Sequence, residues 1–278
     1  MPVRHKAAAA ALAVLLAGAA GCSGAAKAGT GPATGSPAAS SALATPTDHS
    51  PHGMLLTAQL AMRDARRAKF RLPQEGATGM IFWAPKTGLR LDRPGSAEQL
   101  IVLDTTAYLG GDPDTAARLG GRHWEKYGGA SAGGSGGTKE IPYSGLIDQL
   151  NPMVALTAAC AADRPELVGE EQLQDSTVTH YRVSTTVEAY TAAQTQLPPE
   201  RRRALREALG SDSGRVLTLD LWLNDKDQLV QLRRTGQAPG PAATVGYGEI
   251  AGPLSLQAPA EADIVDRGGA ALPPVPGL

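Results

Sequence analysis

Apolar and polar residues alternate most regularly in residues 215–234, which read RVLTLDLWLNDKDQLVQLRR. Side chains two residues apart lie on the same face of a β-strand. One face of the first predicted strand is therefore entirely leucine: Leu217, Leu219, Leu221 and Leu223. The polar residues 224–227 indicate a turn, and residues 229–233 predict a returning strand with Val230 and Leu232 on one face. The pattern predicts an antiparallel hairpin whose leucine face must be covered by other elements.

Two apolar helices are predicted from the spacing of apolar residues. The first begins at Ser50, a suitable N-cap that is followed by Pro51. Its apolar residues recur at helical spacing: Met54, Leu55, Ala58, Met62 and Ala65. The second, residues 142–162, is apolar on more than one side and is kinked or divided at Pro152. A charged helix over residues 200–209 is expected on the outside of the molecule.

Further short runs have the composition of β-strands. They are residues 69–72, 78–84, 88–92, 100–104, 107–109, 167–171, 177–187, 244–250 and 253–257. The short connections between neighbouring runs favour an antiparallel meander. We therefore predict an α+β domain built on an antiparallel sheet.

Composition excludes one broad class of function. The formal net charge is -1, and removing residues 1–21, whose charges are Arg4 and Lys6, changes it to about -3. Neither value is typical of a nucleic-acid-binding protein. Aromatic residues make up only 4% of the chain, so the predicted core consists mainly of Leu, Val, Ile and Met.

The N-terminal residues predict export and a membrane anchor. Basic residues precede an uncharged apolar run over 7–20, which ends in small residues before Cys22. These small residues resemble a bacterial lipobox, although Ala19 stands where leucine is commonest. That resemblance implies a diacylglyceryl thioether on Cys22, often with a further acyl group such as palmitate. Residues 23–50, rich in Gly, Ala, Ser, Thr and Pro, predict a linker that reaches about 30 Å.

No convincing catalytic or metal-binding motif is found. Residues 129–133 and 133–137 match G-x-S-x-G, but no apolar strand precedes them and no helix follows, as a nucleophile elbow requires. Asp112 and Asp114 flank a proline, and no series of calcium ligands continues from them. We therefore expect no enzyme, no metal and no cofactor. Cys160 is expected to be a buried thiol on an apolar helix rather than a reactive one.

The order of these elements resembles a known family. After the lipobox, linker and first helix, residues 100–112 read LIVLDTTAYLGGD and residues 123–127 read HWEKY. Together with TVGYGEIAGPLSLQAP at 244–259, this order is similar to the LolA-type fold of the LppX/LprG-like lipoproteins of high-GC Gram-positive bacteria. Trp124 matches a tryptophan that follows the equivalent hairpin in that family. The resemblance covers residues 50–266 and implies a strongly curved half-barrel sheet with helices over its concave face.

The resemblance also implies a hydrophobic cavity for a lipid or acylated glycolipid. The residues alone predict only a core, and both interpretations of the apolar helices stay open at this stage. If a cavity is present, the side chains predicted to line it are Met54, Leu55, Met62, Met80, Ile147, Leu150, Met153, Leu219 and Leu221. Flexible Met and Leu walls tolerate acyl chains of varied shape.

The sequence thus predicts a signal peptide over 1–21, a lipidated N-terminus and linker over 22–50, a LolA-like domain over 51–266 and a flexible tail over 267–278. We expect a monomer that is anchored by acyl chains to the outer face of the cytoplasmic membrane and binds lipid for envelope lipid carriage. A transporter or another envelope protein is the expected partner, and nucleic acid is not. The alternative is a protein-interaction or sensor module with a closed core and no lipid.

Overall fold

The computed structural model describes residues 48–93, 98–128, 141–210, 212, 214–236 and 242–275. The strands in these ranges are β1 (Arg67–Leu72), β2 (Ala77–Phe82), β3 (Gly88–Asp92), β4 (Gln99–Leu103), β5 (Thr106–Gly110), β6 (Trp124–Gly128), β7 (Glu166–Leu173), β8 (Ser176–Thr186), β9 (Val216–Leu223), β10 (Leu229–Thr235), β11 (Ala243–Gly248) and β12 (Ile264–Asp266). The helices are α1 (Pro51–Ala65), α2 (Pro113–Arg118), α3 (Ser144–Leu150), α4 (Pro152–Cys160), α5 (Val187–Ala192) and α6 (Pro199–Leu209).

All twelve strands join one sheet in the order β12-β6-β5-β4-β3-β2-β1-β11-β10-β9-β8-β7. Neighbouring strands are antiparallel except β12, which runs parallel to β6. The sheet does not close into a barrel, because its edges are β7 and β12 in the described part of the chain. The predicted fold class, one large open sheet with helices against it, is confirmed, with a single parallel pair added.

The leucine row faces the interior as its spacing predicts. Leu219 lies opposite Val183 of β8 and Arg234 of β10, and Leu221 lies opposite Tyr181 and Leu232. A register shift between Leu229 and Gln231 places Val230 at an irregular point of β10, so it does not share the buried face of Leu232. The alternate residues of β9 lie on the opposite, outer face of the sheet.

Helices cover the inner face, and local sequence determines where they begin. The side chain of Ser50 accepts a hydrogen bond from the Gly53 amide, and Pro51 occupies the first position of α1. Asn151 caps α4 in the same way, and Pro152, which begins α4, separates that helix from α3. Helix α4 lies against β8 and β10, α1 packs on α4, and α6 packs on α3 and α5.

Some segments differ from the sequence prediction. Residues 253–257 form no strand, and the chain instead crosses to the far edge of the sheet, where Ile264–Asp266 forms β12. Its parallel partner β6 is distant in sequence, as a parallel pairing requires. Residues 113–118, for which no helix was predicted, form α2, which Asp112 caps by accepting a hydrogen bond from the Thr115 amide.

The predicted flexible tail is held to the domain over its described residues, 267–275. The Arg267 amide donates to the carbonyl oxygen of Lys126, and the Arg267 guanidinium contacts Glu125 at 2.5 Å. Further along, Val275 packs against the core. Sequence composition favours disorder here, but these contacts with β6 and the core were not visible in it.

The described residues contain no helix that has both the length and the apolar character needed to cross a bilayer.

Candidate ligand-binding cleft

Six of the nine predicted lining residues lie in a closely packed core. The exposed fraction is 0% for Leu55, Met62, Leu219 and Leu221, 1% for Ile147 and 2% for Leu150. A side chain with none of its surface in reach of water does not border an open cavity. Between α1, α4 and the leucine row, the described side chains therefore fill the space themselves.

The other three predicted residues lie elsewhere. Met54 and Met153 are partly buried against the same core. Met80 lies opposite Lys69 and Arg90 on the outer face of the sheet, where it borders a groove of about 450 Å³. Its neighbour Gly79 faces inward, and a Cβ atom there would lie 1.9 Å from the Arg90 carbonyl oxygen and 2.7 Å from Cζ of Phe70. There is therefore no room for a side chain at the inward position next to Met80.

An open cleft lies at one end of the inner face. Its volume is about 450 Å³, and it lies between α3 and the strands β1, β10 and β11. The lining residues are Leu72, Glu75, Leu146, Gln149, Leu150, Arg234, Ala243, Val245 and Val275. Leu150 thus borders this cleft with its small exposed surface. The cleft has apolar walls and a few polar groups, which is the usual make-up of a small-molecule site.

A group of buried polar side chains lies at this end of the core. Arg234 is 2% exposed, and its Nη1 atom donates to Tyr190 Oη at 3.3 Å. Tyr247 Oη donates to the carbonyl oxygen of Leu150 at 2.9 Å, which ties β11 to the end of α3. Burial raises the pKa of both tyrosines, so they stay neutral hydrogen-bonding groups.

Helix α3 is fixed by a buried ion pair. Asp148 is bound by the Nε and Nη2 atoms of Arg201 on α6. Burial raises the pKa of Asp148, although the Arg201 charge opposes that shift. Because Asp148 precedes Gln149 and Leu150, the pair positions the helical wall of the cleft.

The C-terminal residues form one border of the cleft. Val275 is among the lining residues, and the Pro273 carbonyl oxygen accepts a hydrogen bond from Tyr143 Oη at 2.9 Å. Tyr143 directly precedes α3. The segment is therefore tied to the same helix that forms the wall, and its movement would change access to the cleft.

The outer face carries a polar cluster that the sequence did not indicate. His180 Nδ1 lies 2.6 Å from Glu171 Oε1, and His180 Nε2 lies 2.9 Å from Asp220 Oδ1. The ring stacks on Trp222 with 4.4 Å between centroids, and Trp222 Nε1 donates to Glu171 Oε2 at 2.8 Å. Asp220 also accepts from the guanidinium groups of Arg182 and Arg233. With both ring nitrogens engaged, His180 acts as a brace between β7, β8 and β9 rather than as a general base.

The other candidate residues in the described ranges form neither a reactive thiol nor a metal site. Burial raises the pKa of the Cys160 thiol to about 11, which disfavours the reactive thiolate. Within the described ranges, His, Cys, Asp and Glu form no group of three or more that could hold a metal ion. The G-x-S-x-G matches at 129–133 and 133–137 and the predicted lipidation site Cys22 lie outside the described residues.

Comparison with known proteins gives one sequence relative and several similar folds. No family model matches the chain. An uncharacterized 31.2 kDa protein in the rplA-rplJ intergenic region of Streptomyces griseus is 27% identical over 153 residues, which cover 54% of this chain and 50% of that protein. The chain thus spans about half the length of this relative.

Among solved structures, the fold is similar to LprF from Mycobacterium bovis, with 12% identity, a TM-score of 0.47 and coverage of 76% of this chain and 97% of LprF. It is also similar to the Mycobacterium tuberculosis lipoprotein LppX, with 11% identity, a TM-score of 0.42 and coverage of 76% and 100%. LppX belongs to the lipoprotein family that the sequence resembles. At TM-scores below 0.5 the likeness leaves ligand and activity open.

The polar cluster around Asp220 predicts how the stability of the fold responds to acid. Burial alone would raise the pKa of Asp220, but hydrogen bonds from Arg233, Arg182 and His180 outweigh it and hold the pKa below its ordinary value. A depressed carboxylate pKa stabilises the fold above the unfolded-state pKa of about 4, and this stabilisation is lost as the pH falls below that value. We expect Asp220→Asn to lower the free energy of unfolding at pH 7 by roughly 1–3 kcal/mol and to flatten its decline below pH 4, as measured by urea unfolding.

The matched control is Asp64→Asn. That carboxylate is exposed, and its ion pair with Arg63, at 3.6 Å, is a loose one. This variant should leave the pH profile unchanged. If the free energy of unfolding fell equally steeply below pH 4 in Asp220→Asn and in the unmodified protein, the polar cluster around Asp220 would not contribute to acid stability.

Proposed function

We propose that this chain is a membrane-anchored lipoprotein that binds a lipid or another acylated amphiphile in the cleft between α3 and β11. The observation that carries the proposal is the open space of about 450 Å³ with mainly apolar walls at one end of the inner face of the sheet. Ligand sites in proteins commonly enclose about 300–1,000 Å³. The cleft has room for one acyl chain or a part of a larger lipid.

The lining suits the two ends of an amphiphile. Leu72, Leu146 and Val245 offer surfaces without polar groups, against which a hydrocarbon chain loses no hydrogen bonds. Glu75 is exposed and marks the side that meets solvent. A polar head group placed there stays hydrated while the chain is removed from water. Binding of this kind needs no catalytic group.

Carriage of a lipid in a large central cavity would require the helices to move. To admit a chain between the leucine row and α4, the helices have to move away from side chains such as Leu219 and Leu221, which are 0% exposed. The cleft needs no such movement. The filled core favours the alternative function, an interaction module without lipid, and the experiment below separates the two.

The membrane anchor remains part of the proposal. It rests on the apolar run and small residues that precede Cys22. Two or more acyl chains give stable attachment, because each buried methylene contributes about 0.8 kcal/mol. The linker then lets the domain reach lipids or an envelope protein at the outer face of the membrane. Handover of lipid to a transporter or another envelope protein is the proposed purpose.

Filling the cleft should abolish lipid binding. Ala243 lies opposite Arg234 on the inner face and borders the cleft, so Ala243→Trp places a large ring inside it. We expect native mass spectrometry of the full chain, expressed in a lipid-producing bacterium and released in detergent, to show one bound acyl species. We expect Ala243→Trp to reduce its occupancy at least about tenfold.

The control is Thr244→Trp, the next residue of the same strand, which lies opposite Arg233 on the outer face. It should keep the ligand. Absence of an acyl species from the unmodified chain would contradict lipid binding and leave the interaction module. Equal occupancy in both variants would place the lipid outside the cleft.

The anchor has its own test. Growth with a labelled fatty acid should label the natural chain and leave Cys22→Ala unlabelled, and Cys22→Ala should leave the membrane fraction or retain its signal peptide. Cys160→Ala is the control and should be labelled like the natural chain. Equal label in Cys22→Ala and the natural chain would contradict the lipobox assignment.

A further inference from the structure

We propose that the edge strand β7 binds an extended segment of a partner protein, rich in basic and apolar residues, as an added strand of the sheet. In the described part of the chain β7 pairs with β8 alone. An edge strand presents backbone N–H and C=O groups that another strand can engage. Most residues of this eight-residue strand are exposed, so its outer side is open to a partner.

Apolar side chains are unusually exposed at this edge. The exposed fraction is 57% for Leu167 and 46% for Val168, both on β7. They are two of the six large apolar side chains that are exposed in the described ranges. Two neighbouring exposed apolar residues on the edge strand itself are more informative than an isolated exposed leucine would be.

A cavity of about 390 Å³ lies next to the beginning of β7. Its walls include Ala158, Ala161 and Ala162 at the end of α4, together with Ala189 and Val216. It also borders β8 at residues 184–186, just past Arg182, which lies opposite Glu166 of β7 in the strand register. A strand that is added to β7 and continues past its beginning would meet this recess, which combines alanines with Asp163 and the hydroxyl residues 184–186. In strand addition such recesses select side chains, while the backbone supplies the pairing.

Charge favours a basic partner over a second copy of the chain. Glu166 and Glu170 are exposed on β7, and neither forms an ion pair in the described residues. Pairing two β7 strands would bring these carboxylates together, which is unfavourable. Glu166 lies opposite Arg182 on the outer face and Glu170 lies opposite Thr179 on the inner face. Lysine or arginine side chains on both faces of an added strand would lie across from these carboxylates.

The brace on the outer face prepares this edge for binding. Glu171 is held by His180 and Trp222, which belong to β8 and β9. Because the strand is already fixed in an extended form over this part, an arriving segment meets an ordered template and only the segment itself must be ordered. The irregular pairing between Leu167 and Gly169 lies at the other end, beside the exposed apolar residues.

The test uses the full chain in a neutral detergent and two labelled nine-residue peptides. One repeats two valines and two lysines and the other two valines and two glutamates, so that charged side chains lie on both faces of an added strand. We expect saturable binding of the lysine peptide and at least tenfold weaker binding of the glutamate peptide. Hydrogen exchange should show new protection at backbone amides of β7. Val216→Asp, at the wall of the recess, should weaken binding of the lysine peptide.

Reversing the charge separates a strand site from general attraction. Glu166→Lys with Glu170→Lys should reduce affinity for the lysine peptide at least tenfold. Glu200→Lys with Glu207→Lys on α6 changes the net charge equally and should have little effect. Failure of the unmodified chain to bind the lysine peptide, equal loss in both double variants, or protection outside β7 would each overturn the proposal. None of these outcomes depends on lipid binding at the cleft.

Discussion

The structure depends on close packing between the leucine face of β9 and the helices that cover it. Leu217, Leu219 and Leu221 are completely buried, and α4 spans the strands on either side of β9. Removing such side chains from water is the main favourable contribution to folding, and each contributes on the order of 1.5–3 kcal/mol when fully buried. Since α1 packs on α4 rather than leaving a gap, the centre of the sheet supports the fold and is not an open ligand site.

This filled centre moves the candidate functions to the ends of the molecule. At one end, α3 stands away from β1 and β11 and leaves the cleft, with the C-terminal residues along its border. At another, β7 ends the sheet and exposes apolar residues beside a recess. The polar cluster around Asp220 supports the β7 edge, because its hydrogen bonds hold β7 from the outer face of the sheet. The proposed lipid site and the proposed partner site thus lie on separate surfaces of one sheet.

Much of the fold could be predicted because its signals are local. Strict alternation identified both faces of β9, and Ser50, Pro51 and Pro152 marked where helices begin. Met80 was predicted to line a cavity, but it lies on the outer face of the sheet, and Gly79 faces inward instead. A side chain has no room at Gly79, because a Cβ atom there would meet the Arg90 carbonyl oxygen and the Phe70 ring of the two neighbouring strands. A pairwise fit of this kind has no signal in either segment alone.

The cleft could not be predicted, because its walls come from residues as distant as Leu72, Leu146 and Val275. Whether the centre is filled likewise depends on the fit of the helices. The most direct test is a crystal structure under xenon pressure, since xenon enters empty apolar cavities. The account predicts no xenon in contact with Leu55, Leu219 or Leu221. A well-occupied xenon site among these side chains would contradict it and restore a central cavity.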